Sequence, residues 1–294
     1  MRQFIHDRIG GMLKHTFCHI PGVGTKTEKR LWNSGILDWN SPLGSFKLRK
    51  KAEGTFQSTI EESRRSFELR DPGYFGSTLP PKESWRLFSD FRDDVAYIDI
   101  ETNGYVGPHG YITAISLYDG KRVRYYIKGE NLDDFKEDIF DYKLLVTYNG
   151  KCFDIPFIES HMGIKLPHAH IDLRYTLRDL GFKGGLKGCE KLIGIDRGEL
   201  KGVDGYFAVL LWRDYRRNKN PKALETLLAY NIQDVVNLEP LMIKAHNLKL
   251  MLTPFAGAYQ IDMPSPPAEL PFQPDIDTIE RIKSGLVQMA SGGA

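Results

Sequence analysis

The stretch Tyr97-Ile98-Asp99-Ile100-Glu101-Thr102 places two carboxylates two residues apart in an otherwise apolar run. Side chains in a β-strand alternate between the faces of its sheet, so this run predicts a strand with Asp99 and Glu101 on one face. Two adjacent like charges are unfavourable unless a cation lies between them. A divalent cation that prefers oxygen ligands, such as Mg²⁺ or Mn²⁺, would relieve that repulsion. The pair alone is a weak signal, and it gains meaning only if later segments supply further carboxylates.

The sequence around this pair indicates a mixed α/β sheet. Three strand-like runs separated by Gly-containing turns predict an antiparallel meander, and later strands alternate with helical sequence. Strands are expected at 95–100, 111–118, 123–128, 144–148 and 168–173, with helices at 131–142, 153–162 and 222–248.

The chain divides by composition into three expected parts. Residues 1–90 mix short helical patterns with turns, 91–250 form the α/β domain, and 251–294 form a Pro-rich tail. Two Pro-containing stretches, 71–73 and 79–82, suggest a linker between the first two parts. The tail is expected to wrap a surface or to be partly disordered, with one helix at 276–290. Its prolines are Pro264, Pro266, Pro267, Pro271 and Pro274.

Bulk composition limits the function classes. The net charge of the 294 residues is only +2, so any nucleic-acid contact must come from local patches. The three cysteines lie far apart without a CxxC pair, which argues against a zinc site or a disulfide framework and suits a reducing cytoplasm. The start of the chain, residues 1–7, lacks the apolar core of a signal peptide, and no run is long enough to span a membrane. We therefore expect a cytoplasmic protein without a membrane partner.

Further carboxylates occur at two places. Asp154 ends the stretch Asn149-Gly150-Lys151-Cys152-Phe153-Asp154 after the fourth predicted strand, where a helix N-terminus alone would favour an acidic residue. Tyr230 and Asp234 lie four residues apart on the helix predicted at 222–248, so they face the same way. For that motif alone, an amphipathic helix with a boundary tyrosine and a solvated aspartate is an equally good explanation.

The three motifs in this order resemble the DEDD superfamily of 3′–5′ exonucleases, which has the ribonuclease-H-like fold. Tyr230 is typical of its Tyr-containing subgroup, DEDDy. The segments 171–173, 183–187, 211–212 and 230–238 are similar to the YprB-like ribonuclease-H-like family. The resemblance covers roughly residues 94–250. It implies a mixed five-stranded sheet flanked by helices, preceded here by a small, mostly helical N-terminal region.

The resemblance also implies a chemistry. Asp99, Glu101, Asp154 and Asp234 would hold two divalent cations, Mg²⁺ or Mn²⁺, for two-metal hydrolysis of phosphodiester bonds. The expected substrate is single-stranded DNA or RNA, and the expected product is a nucleoside 5′-monophosphate released from a 3′ end. Tyr230 would position the attacking water rather than deprotonate it, because a phenol titrates near pH 10.

Several polar residues are candidates for substrate binding. The resemblance implies that Thr102 contacts the terminal nucleotide through its backbone, and the alternative is simply a strand-favouring residue. Asn149 either binds a phosphate or only forms a turn. The segment from Lys183 to Lys187 is a basic Gly loop whose backbone N–H groups either hold phosphate or simply open a helix. Asp172, by contrast, is interpreted as structural.

A basic run precedes the helix of Tyr230. Its cations are interleaved with Trp212 and Tyr215, and together they could form a path for a single strand. The cations are Arg213, Arg216, Arg217, Lys219 and Lys222. A solvated, charged helix face is the commoner explanation for such a run.

The N-terminal region contains a second possible contact. Gly22, Gly24 and Lys26 belong to a Gly-Val-Gly turn that resembles half of a helix–hairpin–helix motif (20–36), whose backbone amides can approach a phosphate. Gly35 is expected to end the following helix. Glu28 departs from the small residue common in that motif, and an αα-turn packed against the α/β domain is the alternative.

The leading hypothesis is thus a metal-dependent 3′–5′ exonuclease. A nucleic-acid-binding protein with little catalysis and an endonuclease of the same fold are the alternatives. The Tyr230 and Asp234 spacing favours the exonuclease.

Overall fold

The computed structural model describes residues 11–265 and 267–291. The start of the chain, Pro266 and residues 292–294 lie outside this range, and so does the expectation that residues 1–7 are not a signal peptide.

A single five-stranded sheet carries the α/β region, with strand order β3-β2-β1-β4-β5. The acidic strand β1 is central: it pairs antiparallel with β2 and parallel with β4. The outer pairs are antiparallel for β2 and β3 and parallel for β4 and β5. The prediction of a mixed five-stranded sheet flanked by helices is therefore confirmed. The strands are β1 (Val95–Thr102), β2 (Ile112–Tyr118), β3 (Val123–Ile127), β4 (Leu144–Thr147) and β5 (Ala169–Asp172).

The helices surround this sheet and also precede and follow it. The segment expected as one helix at 131–142 is instead a run of short helical turns. The α-helices are α1 (Thr25–Asn33), α2 (Lys50–Glu53), α3 (Phe56–Glu68), α4 (Pro72–Thr78), α5 (Phe88–Phe91), α6 (Phe135–Asp138), α7 (Asp154–Met162), α8 (Leu173–Asp179), α9 (Gly185–Ile193), α10 (Gly205–Asn218), α11 (Pro221–Leu250) and α12 (Ile276–Ser291).

The long helix α11 crosses one face of the sheet. Asn220 caps its start by accepting the Lys222 N–H, and Pro221 occupies the first helical position, where it requires no donor. Along β1, Tyr97 belongs to the large core on the α11 side, whereas Ile98 and Ile100 belong to a second core on the opposite face. Because side chains alternate, Asp99 and Glu101 lie on the α11 face.

The expectation of a linker before β1 is wrong. Asp71 accepts the Gly73 N–H and caps α4, and a 3₁₀ helix at Pro81–Leu87 buries Trp85. Both prolines at these places start helical turns, because a proline at the first helical position removes a donor that has no partner there anyway. The connection is therefore packed rather than extended.

The Gly-Val-Gly turn is anchored to this packed connection. Glu28 is buried, accepts the N–H groups of Phe17 at 2.7 Å and Cys18 at 3.0 Å, and pairs with buried Arg86 at 2.7 Å. Its departure from a small residue thus has a structural reason. Gly35 adopts a positive φ of 83° just beyond α1, as expected of a helix stop.

The tail wraps the molecule along its described residues. The Asn247 side chain binds both backbone groups of Ile261, donating to the carbonyl at 2.7 Å and accepting the N–H at 3.0 Å. Phe255 meets Trp32 edge to face with ring centroids 5.5 Å apart. One hydrophobic core thus includes residues from the N-terminal helices, the sheet and α12. The division into three domains stays a prediction.

Candidate active site

Three carboxylates converge where α11 crosses β1. Asp99, Glu101 and Asp234 each offer an oxygen within 4.8 Å of the others. Glu101 and Asp234 are buried, and Asp99 is partly buried. The strand motif with its period of two and the motif on the helix face, about 130 residues further along the chain, therefore meet.

Asp154 reaches the same cavity from the first turn of α7. The pairing of β1 with β4 ends at Tyr97 and Val146, so the Ile100 N–H has no strand partner on that side. Asp154 Oδ1 accepts this N–H at 3.2 Å, and its side chain is buried. The positive end of α7 also favours a carboxylate there. All four predicted acidic residues line one cavity of about 410 Å³.

The turn between β4 and α7 fixes the position of Asp154. Asn149 adopts a positive φ of 69°, and buried Asp172 accepts the N–H groups of Asn149 at 2.8 Å and Lys151 at 3.1 Å. At Gly150 a Cβ would lie 2.3 Å from Thr147 Oγ1, so only glycine fits. Asp172 thus has the structural role that the sequence favoured.

The carboxylates disfavour one another's ionisation. Burial, and then the charges of Asp154 and Asp234, raise the pKa of Asp99 well above its ordinary value. Burial and the charge of Asp234 do the same for Glu101. Burial raises the pKa of Asp154 to about 7 and that of Asp234 to about 6, although Arg197 opposes the latter. A bound cation would remove this penalty.

Tyr230 lies in the same cavity, one turn before Asp234. Burial and the charge of Asp234 raise the pKa of its phenol far above the ordinary value, so the hydroxyl stays neutral. The next residue, Asn231, donates to Asp99 Oδ2 at 2.7 Å and orients that carboxylate. A neutral phenol suits positioning of a water molecule by a hydrogen bond rather than proton abstraction.

The sequence comparisons agree with this arrangement. The family model of the RNase_H superfamily matches residues 96–246, which is just over half of the chain. The chain belongs to the RNase_H superfamily. This membership supports nuclease activity in general, a nucleic-acid substrate and divalent metal ions. No curated protein sequence matches the chain.

One solved structure similar to this RNase_H superfamily member is the family B DNA polymerase from the hyperthermophilic archaeon Pyrobaculum calidifontis. The similarity covers 53% of this chain and 24% of that chain, with 20% sequence identity and a TM-score of 0.40. The chain thus spans about a quarter of the length of that polymerase.

The acidic cavity fits the divalent ions of the RNase_H superfamily. Its donors are carboxylate oxygens, which are the preferred ligands of Mg²⁺ and Mn²⁺. Asp99, Glu101 and Asp234 could share one ion directly, since their oxygens lie within 4.8 Å of one another. Asp154 lines the same cavity and is available for an ion as well.

The substrate-binding candidates fall at different places. Thr102 and Asn149 line the acidic cavity. The Asn149 side chain accepts a hydrogen bond from Arg174. Lys187 stands 5.0 Å from the centroid of the Tyr230 ring and donates to the Val203 carbonyl, whereas Lys183 is exposed before α9.

The basic run lies on α10, whose first turns border the cavity. Val209 lines the cavity, and Arg213 and Arg217 follow it at one-turn intervals on the same helix face, leading away from the carboxylates. The expectation that Trp212 offers a stacking surface is wrong, because Trp212 is buried and donates to the Tyr111 hydroxyl at 3.2 Å. Exposed Phe153 and Tyr206 border the cavity instead, and no sequence pattern indicated this position.

The N-terminal candidates lie elsewhere on the surface. Gly22, Gly24 and Lys26 are exposed, and the described lining of the acidic cavity does not include them. Their contact with nucleic acid stays a prediction.

Sequence reasoning missed one charged group at the site. The Arg197 guanidinium lies 2.5 Å from Asp234 Oδ1 and forms a bidentate pair with Glu190 at 2.6 and 2.8 Å. Arg197 occupies an irregular segment after α9, where no periodicity relates it to α11. An isolated arginine in such a segment carries no signal that could have revealed the contact.

Proposed function

We propose that this chain is a metal-dependent 3′–5′ exonuclease of the DEDDy kind, closest to the YprB-like family. It would hydrolyse single-stranded DNA or RNA and release nucleoside 5′-monophosphates in the cytoplasm. The observation that supports this most is the convergence of Asp99, Glu101, Asp154 and Asp234 with Tyr230 in one cavity.

The four carboxylates would hold Mg²⁺ or Mn²⁺, whose positive charge offsets the negative charge that develops on the phosphate and the leaving 3′ oxygen. Asn231 keeps one oxygen of Asp99 engaged and so limits how that carboxylate turns. The Tyr230 hydroxyl, neutral at physiological pH, would hold the attacking water by a hydrogen bond.

The dimensions of the cavity favour a strand end over a duplex. Its volume of about 410 Å³ is in the lower part of the range of roughly 300–1,000 Å³ that is typical of small-ligand sites. Exposed Phe153 and Tyr206 at its border offer ring faces on which unpaired bases could stack. This supports hydrolysis one nucleotide at a time.

The test uses 5′-labelled single-stranded DNA and RNA of the same sequence with Mg²⁺, Mn²⁺ or EDTA. The wild type should produce a metal-dependent ladder of products that shorten from the 3′ end. The Asp99→Asn variant should produce no ladder, and its cooperative thermal unfolding shows that it is folded. Asp133→Asn is the matched control, since Asp133 is an exposed carboxylate after β3 and outside the cavity lining.

Each alternative has its own outcome. A single internal cut would favour the endonuclease. Tight binding without turnover, unaffected by Asp99→Asn, would favour the binding protein. Absence of metal-dependent cleavage on every substrate would refute an enzymatic role.

A further inference from the structure

Asp234 is held by a guanidinium on one side. Arg197 Nη2 lies 2.5 Å from Asp234 Oδ1, and both side chains are buried. Arg197 itself is fixed by Glu190, which accepts hydrogen bonds from its Nε at 2.6 Å and from its Nη2 at 2.8 Å. Asn237, one turn after Asp234 on α11, donates to Glu190 Oε1 at 2.9 Å and completes the chain of contacts.

This arrangement has a cost that stability does not explain. Arg197 Nη1 is buried and has no hydrogen-bond partner among the described residues. Burying a guanidinium with an unpaired N–H group is unfavourable, and a buried ion pair is often no more stable than apolar packing of the same volume. A buried polar group that is left unpaired in a folded protein calls for an explanation, and a role at a functional site is one such explanation.

The geometry points to Arg197 as a positioning residue for the cation site, an inference that rests on the proposed function. Arg197 holds one oxygen of Asp234 and leaves the other for the divalent ion shared with Asp99 and Glu101. The planar fork of arginine can bridge Glu190 and Asp234 at once, whereas the single ammonium of a lysine cannot reproduce that geometry. Loss of groups that orient metal-binding carboxylates typically lowers metal affinity about 10–100-fold.

The test measures Mn²⁺ binding by isothermal titration calorimetry without nucleic acid. Arg197→Met should weaken Mn²⁺ binding by about 10–100-fold, and Arg197→Lys should recover part of the loss. Lys201→Met is the matched control, because Lys201 is exposed, lies four residues further along the same segment and pairs with exposed Asp196 rather than with Asp234. Its Mn²⁺ affinity should equal that of the wild type.

The opposite sign would overturn the inference. If Arg197 competed with the cation for Asp234, Arg197→Met would bind Mn²⁺ more tightly than the wild type. Unchanged affinity in a folded Arg197→Met protein would overturn it as well. Should that variant fail to fold, Asn237→Ala removes only the support of Glu190, and it should weaken Mn²⁺ binding by a smaller factor. Unchanged binding by Asn237→Ala would then decide against the inference.

The kinetic readout separates positioning from general structural damage. In Arg197→Met the Mn²⁺ concentration that gives half-maximal activity should rise. The KM for oligonucleotide should stay near the wild-type value, and kcat should recover at high Mn²⁺. Failure of the proposed function is distinguishable, because a wild type whose Mn²⁺ affinity depends on Arg197 but which cuts no nucleic acid refutes only the nuclease. A wild type that binds no Mn²⁺ overturns the positioning role.

Discussion

Replacing Asp154 by asparagine is expected to stabilise the metal-free protein increasingly as the pH rises. Burial raises the pKa of Asp154 from 3.8 to about 7 in the folded protein. At pH values between the pKa of the unfolded state and that of the folded state, the folded state binds more protons than the unfolded state. The free energy of unfolding therefore falls as the pH rises through this range. A pKa difference of about three corresponds to at most about 4 kcal/mol.

Asparagine removes the ionisation but keeps an oxygen that can accept the Ile100 N–H. The free energy of unfolding of Asp154→Asn, relative to the wild type in EDTA, should therefore increase between pH 4 and pH 8 by up to about 4 kcal/mol. Urea unfolding at several pH values measures it. Asp133→Asn, at an exposed position, should show no such increase. A difference for Asp154→Asn that is independent of pH, or that decreases, would refute the electrostatic account of the site.

Addition of Mn²⁺ should reduce the advantage of Asp154→Asn in the free energy of unfolding at pH 8. A ligand that binds only the folded state at 100 times its Kd stabilises a protein by about 2.7 kcal/mol, and each further tenfold adds about 1.4 kcal/mol. The wild type should gain this increment and Asp154→Asn much less of it. An equal gain for both proteins would mean that Asp154 does not bind the cation.

The remaining predictions concern packing and substrate contact. Glu28→Gln should lower the free energy of unfolding by roughly 3 kcal/mol in urea titrations, because it removes one carboxylate from buried Arg86. Gly76→Ala should lower it by about 1–3 kcal/mol, since a Cβ there would lie 3.1 Å from the Cα of Ala169 on β5. Tyr206→Ala should raise the KM for single-stranded substrate by the loss of one stacking contact, about 1–3 kcal/mol, with little change in kcat in steady-state assays.

The parts of the site that obey a periodicity were predictable from the sequence. The period of two on β1 placed Asp99 and Glu101 on one face, and the four-residue spacing on α11 placed Tyr230 with Asp234. Both periodicities are local, so each half of the cluster could be predicted separately. That the halves meet depended on the resemblance, because the crossing of α11 over β1 is a long-range contact that neither segment encodes alone.

Other features could not be predicted for identifiable physical reasons. Proline marks both linkers and helix starts, so the segments around Pro72 and Pro81 were assigned wrongly. Trp212 has the same local pattern whether it stacks on substrate or packs inside, and only the position of the Tyr111 hydroxyl decides between the two. Arg197 contacts Asp234 from an irregular segment, where sequence carries no geometric information.

The location of the site follows from where strand pairing stops. β1 lies in the middle of the sheet, yet its pairing with β4 ends at Tyr97, three residues before Ile100. Beyond that point the two strands separate, which opens room beside β1 for the cavity.

The same separation leaves the Ile100 N–H without a strand partner, and an unpaired buried donor is costly. Asp154 accepts that N–H and is thereby drawn to the acidic face of β1. A longer β4 ladder would satisfy the Ile100 N–H but would close the cavity and displace Asp154. The early separation of β1 and β4 therefore accounts both for the short parallel ladder and for the position of Asp154 in the carboxylate cluster.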